Sequence, residues 1–101
     1  MSYGKGGCVY IVTNKTHTVL YTGVTSDLYS RMVQHKEKKF PNSFTSKYNC
    51  DKLVYYAPLH SIEEAIAEEK RIKGGNRQQK ISLIESQNPE WNDLWEVVHK
   101  W

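Results

Sequence analysis

Several features are scarce or missing in this sequence of 101 residues, and each absence excludes a class of protein. No apolar run approaches the roughly 20 residues of a membrane-spanning helix, and the N-terminus lacks the basic region and apolar stretch of a secretory signal. Its two cysteines, Cys8 and Cys50, form no CxxC pair, which argues against a zinc site and favours reduced thiols in a cytoplasmic protein. Without an internal repeat or a low-complexity linker, we expect residues 1–101 to form one domain.

The charge that is present is mildly basic, with a formal net charge of +3. Residues 1–50 hold seven Lys and Arg against two acidic residues, and residues 70–80 hold five basic residues and no acidic one. Such stretches could follow a phosphate backbone. They are also typical of solvated helix faces, and charge alone favours that second interpretation.

The pattern of residues predicts an α+β fold, a small mixed or antiparallel three-stranded sheet flanked by helices. β-branched and aromatic residues indicate strands, Asp27 or Ser26 can cap the first helix, and Pro58 is expected to stop the third strand. Ser61 and Glu64 have the spacing of a capping box. The predicted order β-β-α-β-α-α-α places strands at 7–13 and 18–23, a helix at 28–38, a loop through 47, a strand at 53–57, and helices at 61–73, 77–86 and from Pro89.

Four polar residues of the first strands and helix are candidates for a site. Arg31 and His35 lie one turn apart, at the border of the apolar stripe of the first helix. Such an arginine can cover the core with its stem, and such a histidine is more often a packed residue than a catalyst. Tyr10 and Tyr21 are by default half-buried strand residues, and whether they share a face depends on a hairpin register that the sequence leaves open.

Glu69 differs from the other glutamates of its predicted helix because of the face on which it lies. With Ile62 at zero on a helical wheel, Ile66 lies at about 40° and Glu69 at about 340°, in the middle of the apolar stripe. A carboxylate aimed at a core is strongly disfavoured unless it has a partner. A salt bridge to Arg31, a hydrogen bond to a tyrosine and a metal ion are about equally compatible with the spacing.

These residues, in this order, resemble the GIY-YIG endonuclease superfamily, in particular its small, single-domain bacterial members of the YhbQ type. Cys8 and Thr22 stand where the signature name has Gly and Ile, and we interpret both as tolerated variation. The resemblance covers the chain from about residue 7 to residue 94. Its matching positions are Cys8-Val9-Tyr10, Tyr21-Thr22-Gly23, Arg31, His35 and, in a segment similar to the family's second helix, Glu69.

The resemblance implies a metal-dependent endonuclease that hydrolyses DNA phosphodiester bonds, with DNA repair or recombination as the expected setting. Glu69 would hold one divalent ion, Mg²⁺ or alternatively Mn²⁺, with mostly water ligands. Arg31 would grip the non-bridging phosphate oxygens. Tyr10 would act as general base or position the water, His35 would relay or accept its proton, and Tyr21 would orient the water or the phosphate. These roles can be exchanged within the site.

A basic surface is expected to follow the DNA backbone, and Gly23 would permit close approach to the strand end. DNA is the expected partner, a membrane is not, and a second protein could supply specificity. The alternative function is a non-catalytic nucleic-acid-binding module that keeps the nuclease fold. The residues expected to contact nucleic acid are Gly23, Lys36, Lys38, Lys39, Lys47, Lys73, Arg77 and Lys80.

Overall fold

An antiparallel three-stranded sheet of order β2-β1-β3 forms the centre of the molecule. The structure, a computed structural model, describes residues 6–101, so the first five residues of the predicted domain lie outside it. Its elements are β1 (Gly7–Thr13), β2 (Leu20–Thr25), α1 (Leu28–Glu37), α2 (Phe44–Lys47), β3 (Lys52–Leu59), α3 (Ile62–Lys73), α4 (Arg77–Gln87) and α5 (Trp95–Val98).

Strand β1 is buried along its whole length because helices cover both faces of the sheet. Since successive strand residues point to opposite faces, Tyr10 and Val12 lie in one apolar cluster and Val9 and Ile11 in another. Helices α1 and α5 pack in the first cluster, and α3 and α4 in the second. The predicted α+β fold with a small sheet flanked by helices is confirmed, and the sheet is antiparallel.

The first half of the chain departs from the predicted boundaries in two places. β2 begins at Leu20, two residues later than predicted, because the Asn14 side chain accepts hydrogen bonds from the Thr18 and Val19 amides and holds a longer loop. A short helix, α2, occupies the segment that we predicted to be a loop. Ser43 caps it by accepting a hydrogen bond from the Ser46 amide.

The second half of the chain departs from the predicted elements in two further places. Pro58 does not stop β3 but lies within it, paired with Cys8; β3 is an edge strand, where a missing amide donor is tolerated. The last helix does not begin at Pro89 but at Trp95, after a turn in which Trp91 has a φ of 56°. No helix within residues 6–101 is both long and apolar enough to cross a membrane.

Candidate active site

Tyr10 is fully buried in β1, directly opposite Gly23 of β2. A Cβ built on Gly23 would lie 2.5 Å from the Tyr10 Cζ and hydroxyl oxygen, so the ring lies over the glycine and leaves no room for a side chain there. The same register pairs Val12 with Tyr21, which settles the question that the sequence left open. Tyr10 and Tyr21 lie on the same face of the sheet, the one that α1 covers.

His35 of α1 joins Tyr10 to the short helix α2. Its Nε2 atom lies 2.9 Å from the Tyr10 hydroxyl, and its Nδ1 atom lies 3.1 Å from Oγ1 of Thr45. The His35 ring also meets the ring of Tyr21 edge-on, with centroids 6.3 Å apart. One imidazole therefore connects residues that are 25 positions before it and 10 positions after it in the chain.

Both members of the Tyr10–His35 pair are held in their neutral forms at neutral pH. Burial raises the pKa of Tyr10 to about 12, although the charge of nearby Arg31 acts in the opposite direction. Burial and then the charge of Arg31 lower the pKa of His35 to about 4. The imidazole is thus free to accept a proton, while the phenol keeps its own proton until something stabilises the anion.

A cleft of about 370 Å³ opens beside this pair, between α1 and the segment around α2. Phe44 of α2 stacks on Tyr21 at the same place, with ring centroids 5.9 Å apart. Three of the five residues predicted to be catalytic line this cleft: Tyr21, Arg31 and His35. The lining residues are Tyr21, Arg31, Gln34, His35, Phe40, Ser43, Thr45 and Ser46.

Thr45 and Phe44 were missed by the sequence analysis, which treated their segment as a polar loop. The only available signal was local, since Ser43 three residues before Ser46 has the spacing of a helix cap. The pattern does not indicate that this helix would lie against His35. That contact is tertiary, so the sequence analysis could single out the histidine but not the threonine beside it.

Glu69 lies at the edge of the same region, but with a different partner from those expected. Its side chain is 14% exposed and forms a salt bridge of 2.8 Å with Lys73, one helical turn later. The Lys73 ammonium in turn lies 5.8 Å from the centre of the Tyr21 ring. Within residues 6–101, neither Arg31 nor a tyrosine hydroxyl pairs with this carboxylate, which is connected to Tyr21 and the cleft only through Lys73.

The buried face of α3 also differs from the predicted one. Ile66 is 38% exposed, while Ala65 and Ile72 are buried. On a helical wheel the buried stripe is therefore centred near these two residues, and Glu69 lies beside it, not in its middle. The error came from counting Ile66 as a core residue. The Glu69 carboxylate is mostly buried but keeps some access to the surface.

The residues expected to contact nucleic acid occupy different environments. Gly23 is buried under the Tyr10 ring and offers little surface to a ligand. The Lys36 ammonium bonds to the Asp93 carboxylate and the Asp51 carbonyl, each at 2.8 Å. Lys39 and Lys47 are exposed. Three others donate hydrogen bonds within the protein: Lys38 to Asn49, Arg77 to the His17 carbonyl and Lys80 to the Gly75 carbonyl. Lys73 forms its salt bridge with Glu69.

The two departures from the signature lie away from the cleft. Cys8 is buried in the apolar cluster below Tyr10, and burial raises the pKa of its thiol to about 12. Thr22 is buried opposite Ile11, on the face that α3 covers, and its hydroxyl has no hydrogen-bond partner within residues 6–101. Both positions support packing, so neither change alters a group that lines the cleft.

Comparison with known proteins assigns this fold to a family of catalytic domains. The sequence matches the GIY-YIG catalytic domain over residues 6–82, and the chain belongs to the GIY-YIG family. Three bacterial UPF0213 proteins are similar to it in sequence. The one from Syntrophus aciditrophicus is 34% identical over 82 residues, which cover 81% of this chain and 92% of that protein. The one from Staphylococcus haemolyticus is 38% identical over 77 residues, covering 76% and 92%.

The third relative and a solved structure extend the comparison. The UPF0213 protein of Cronobacter sakazakii is 38% identical over 65 residues, covering 64% of this chain and 67% of that protein. The solution structure of a UPF0213 protein from Bacillus halodurans has a TM-score of 0.56 and 27% identity, and it covers 87% of this chain and 92% of its own. The chain therefore shares its family with small bacterial proteins of similar length.

Proposed function

We propose that this protein is a metal-dependent endonuclease that hydrolyses DNA phosphodiester bonds in the cleft beside Tyr10 and His35. The observation that carries the proposal is the direct hydrogen bond between the Tyr10 hydroxyl and a neutral His35, next to the permanent charge of Arg31. Phosphodiester hydrolysis needs an activated water and stabilisation of the charge that builds on the phosphate. A phenol–imidazole pair can activate the water, and a guanidinium can stabilise the charge on the phosphate.

Each residue has a role in this proposal that follows from its surroundings. Arg31, in the cleft wall, grips the non-bridging oxygens through charge-assisted hydrogen bonds. The Tyr10 hydroxyl is fully buried, so in this proposal DNA binding must open it to the cleft. It then positions the attacking water and takes its proton, while His35 Nε2, at 2.9 Å, receives the proton of the phenol. Moving the two protons together avoids a free phenolate, which burial disfavours. Tyr21 orients the water or the phosphate from the other side of the cleft.

Glu69 is the residue proposed to hold the divalent ion. No three His, Cys, Asp or Glu side chains within residues 6–101 converge as a metal site, and a single carboxylate fits Mg²⁺, which keeps most of its water ligands. Lys73, whose side chain is 49% exposed, can swing into solvent and release Glu69. When bound, the ion would supply Lewis-acid stabilisation of the leaving oxygen.

A cleavage assay with matched variants tests the proposal. Purified protein is incubated with duplex, nicked and branched DNA in Mg²⁺, in Mn²⁺ or in EDTA. Arg31→Ala and Glu69→Gln are each expected to lower the cleavage rate by at least about 100-fold, as loss of a charge-stabilising group does in other active sites. Glu68→Gln is the matched control, since Glu68 is the adjacent residue and is also held in a salt bridge, with Arg71.

The outcomes separate the proposed enzyme from its alternatives. If wild type shifts DNA in a gel but cuts no substrate with either metal, the protein is a binding module that retains the fold. If Arg31→Ala and Glu69→Gln cut as fast as wild type, the activity comes from a contaminant. A role in DNA repair, a protein partner and a cytoplasmic location stay predictions from the sequence.

A further inference from the structure

Thr45 is a buried polar residue of the cleft to which the proposed mechanism gives no role. It is 7% exposed, and its hydroxyl oxygen lies 3.1 Å from His35 Nδ1 and 3.4 Å from the Ser43 hydroxyl. The hydrogen bonds from Tyr10 through His35 therefore continue into the cap of α2. A chain of this kind has a direction, because every hydroxyl has only one proton to donate.

The cap of α2 determines that direction. Ser43 donates its hydroxyl proton to the Ser46 hydroxyl at 3.2 Å, while its oxygen accepts the Ser46 amide at 3.3 Å. Because Ser43 has then used its only proton, we assign the proton of its 3.4 Å contact with Thr45 to Thr45. A threonine hydroxyl that donates to Ser43 still has lone pairs, and these accept a proton from His35 Nδ1.

The consequence for His35 is a defined tautomer. A neutral imidazole carries one N–H, and the hydrogen bond at one ring nitrogen decides which nitrogen holds it. With the proton on Nδ1, the Nε2 atom is a bare acceptor that faces the Tyr10 hydroxyl at 2.9 Å. In the opposite tautomer Nε2 would donate to Tyr10 and could not take its proton.

We propose that Thr45 is a positioning residue that accepts the His35 Nδ1 proton and so keeps Nε2 ready to receive the proton of Tyr10. This inference rests on the proposed nuclease function. In the step, water loses a proton to the Tyr10 oxygen, and the Tyr10 proton forms the new N–H on Nε2. The water oxygen bonds to phosphorus as the bond from phosphorus to the leaving oxygen breaks. The leaving oxygen keeps the bonding electron pair and takes up a proton from solvent, and His35 becomes an imidazolium that later returns its proton to solvent.

The tautomer can be measured without any cleavage. Nitrogen-15 chemical shifts of the His35 ring, recorded near neutral pH on the full chain without DNA, distinguish a protonated ring nitrogen from a bare one. We expect Nδ1–H in wild type and in Thr45→Ser, which keeps the hydroxyl. Thr45→Val, which removes it, should shift the ring toward Nε2–H. A wild-type ring with Nε2–H, or an unchanged ring in Thr45→Val, would overturn the proposal.

Kinetics then separate positioning from simple structural support. Thr45→Val should lower the single-turnover cleavage rate by roughly 10- to 100-fold, the usual effect of removing the outer hydrogen bond of a functional histidine, with DNA affinity unchanged. Thr45→Ser should restore most of the rate. Thr13→Val is the matched control, because it also removes a buried hydroxyl, one that donates to the Val19 carbonyl at 2.7 Å.

The controls give each result a single meaning. If Thr13→Val slows cleavage as much as Thr45→Val does, or if Thr45→Ser rescues nothing, Thr45 has only a structural role. If wild type cuts no DNA, the proposed function fails, and the nitrogen shifts still decide whether Thr45 sets the tautomer. If Thr45→Val does not fold, the nitrogen-15 shifts of wild type alone decide which ring nitrogen of His35 is protonated, and Nε2–H would overturn the proposal.

Discussion

The Tyr10 ring packs in the space that a side chain at residue 23 would occupy. The pairing places Tyr10 and Gly23 opposite each other in adjacent strands, with the Tyr10 ring over the glycine. Packed interiors leave little room for an added atom. The position of the Tyr10 hydroxyl, and with it the hydrogen bond to His35, therefore depends on the absence of a side chain at residue 23.

Gly23→Ala is expected to displace Tyr10. The added Cβ would meet the ring at 2.5 Å, so we expect a loss of about 1–3 kcal/mol in the free energy of unfolding and a cleavage rate close to that of Tyr10→Phe. Urea unfolding and the cleavage assay measure the two effects. Gly74→Ala is the control, since its Cβ would have no contact shorter than 3.4 Å; equal losses in both variants would contradict the role given to Gly23.

At the scale of elements, the segment after α4 is tied to the rest of the domain by Asp93. One carboxylate oxygen of Asp93 accepts hydrogen bonds from the Leu53 and Trp95 amides, and the other pairs with Lys36 of α1. This segment lies beyond residue 82, where the family match ends. It nevertheless supplies Val98 to the apolar cluster that contains Tyr10, so the contacts of Asp93 support the face of the sheet that carries the candidate site.

Lys36→Met should lower stability rather than DNA affinity. The substitution removes the donor from both Asp93 and the Asp51 carbonyl in a partly buried setting, and we expect a loss of about 1–2 kcal/mol in the free energy of unfolding. Lys39→Met, at an exposed position of the same region, should change stability by less than about 0.5 kcal/mol. If Lys36→Met weakens DNA binding and leaves stability intact, Lys36 contacts the phosphate backbone as its sequence position first indicated.

At the scale of the whole molecule, folding holds two histidines in their neutral forms. Burial lowers the pKa of His35 to about 4, well below its usual 6.5, and burial together with Lys52 lowers the pKa of His17. The unfolded chain binds these protons at a higher pH than the folded protein does. Protonation therefore favours unfolding. Through His35, the free energy of unfolding falls as the pH falls from about 6.5, the usual pKa, to about 4, the pKa in the folded protein.

We expect acidification from about pH 6.5 to pH 4 to lower the free energy of unfolding by about 1–2 kcal/mol through His35, allowing for its partial exposure. Urea unfolding at several pH values measures this slope. His35→Gln should flatten it, while His60→Gln, at an exposed position, should leave it unchanged. A slope that is the same in wild type and His35→Gln would show that His35 is not held neutral by burial.

Much of the fold and part of the site follow from local patterns in the sequence. Alternation and helical periodicity, with caps at Asp27 and Ser61, indicated most of the elements and the α+β class, because these signals act within one element. The ordered set of Tyr10, Tyr21, Arg31, His35 and Glu69 indicated the family. The family assignment stands, whereas the roles of these residues and the metal ion remain proposals.

Only the tertiary structure decided which partners the polar side chains have in other elements. Tyr10 meets His35 from another element, and His35 meets Thr45 of a helix that was predicted to be a loop. The Glu69–Lys73 pair differs, because both residues lie on α3 one turn apart. Periodicity gives the face of a residue on its own helix or strand, but a hydrogen bond needs atoms of two elements within about 3 Å. That distance is set by strand register and helix packing, which the residues of one segment do not specify.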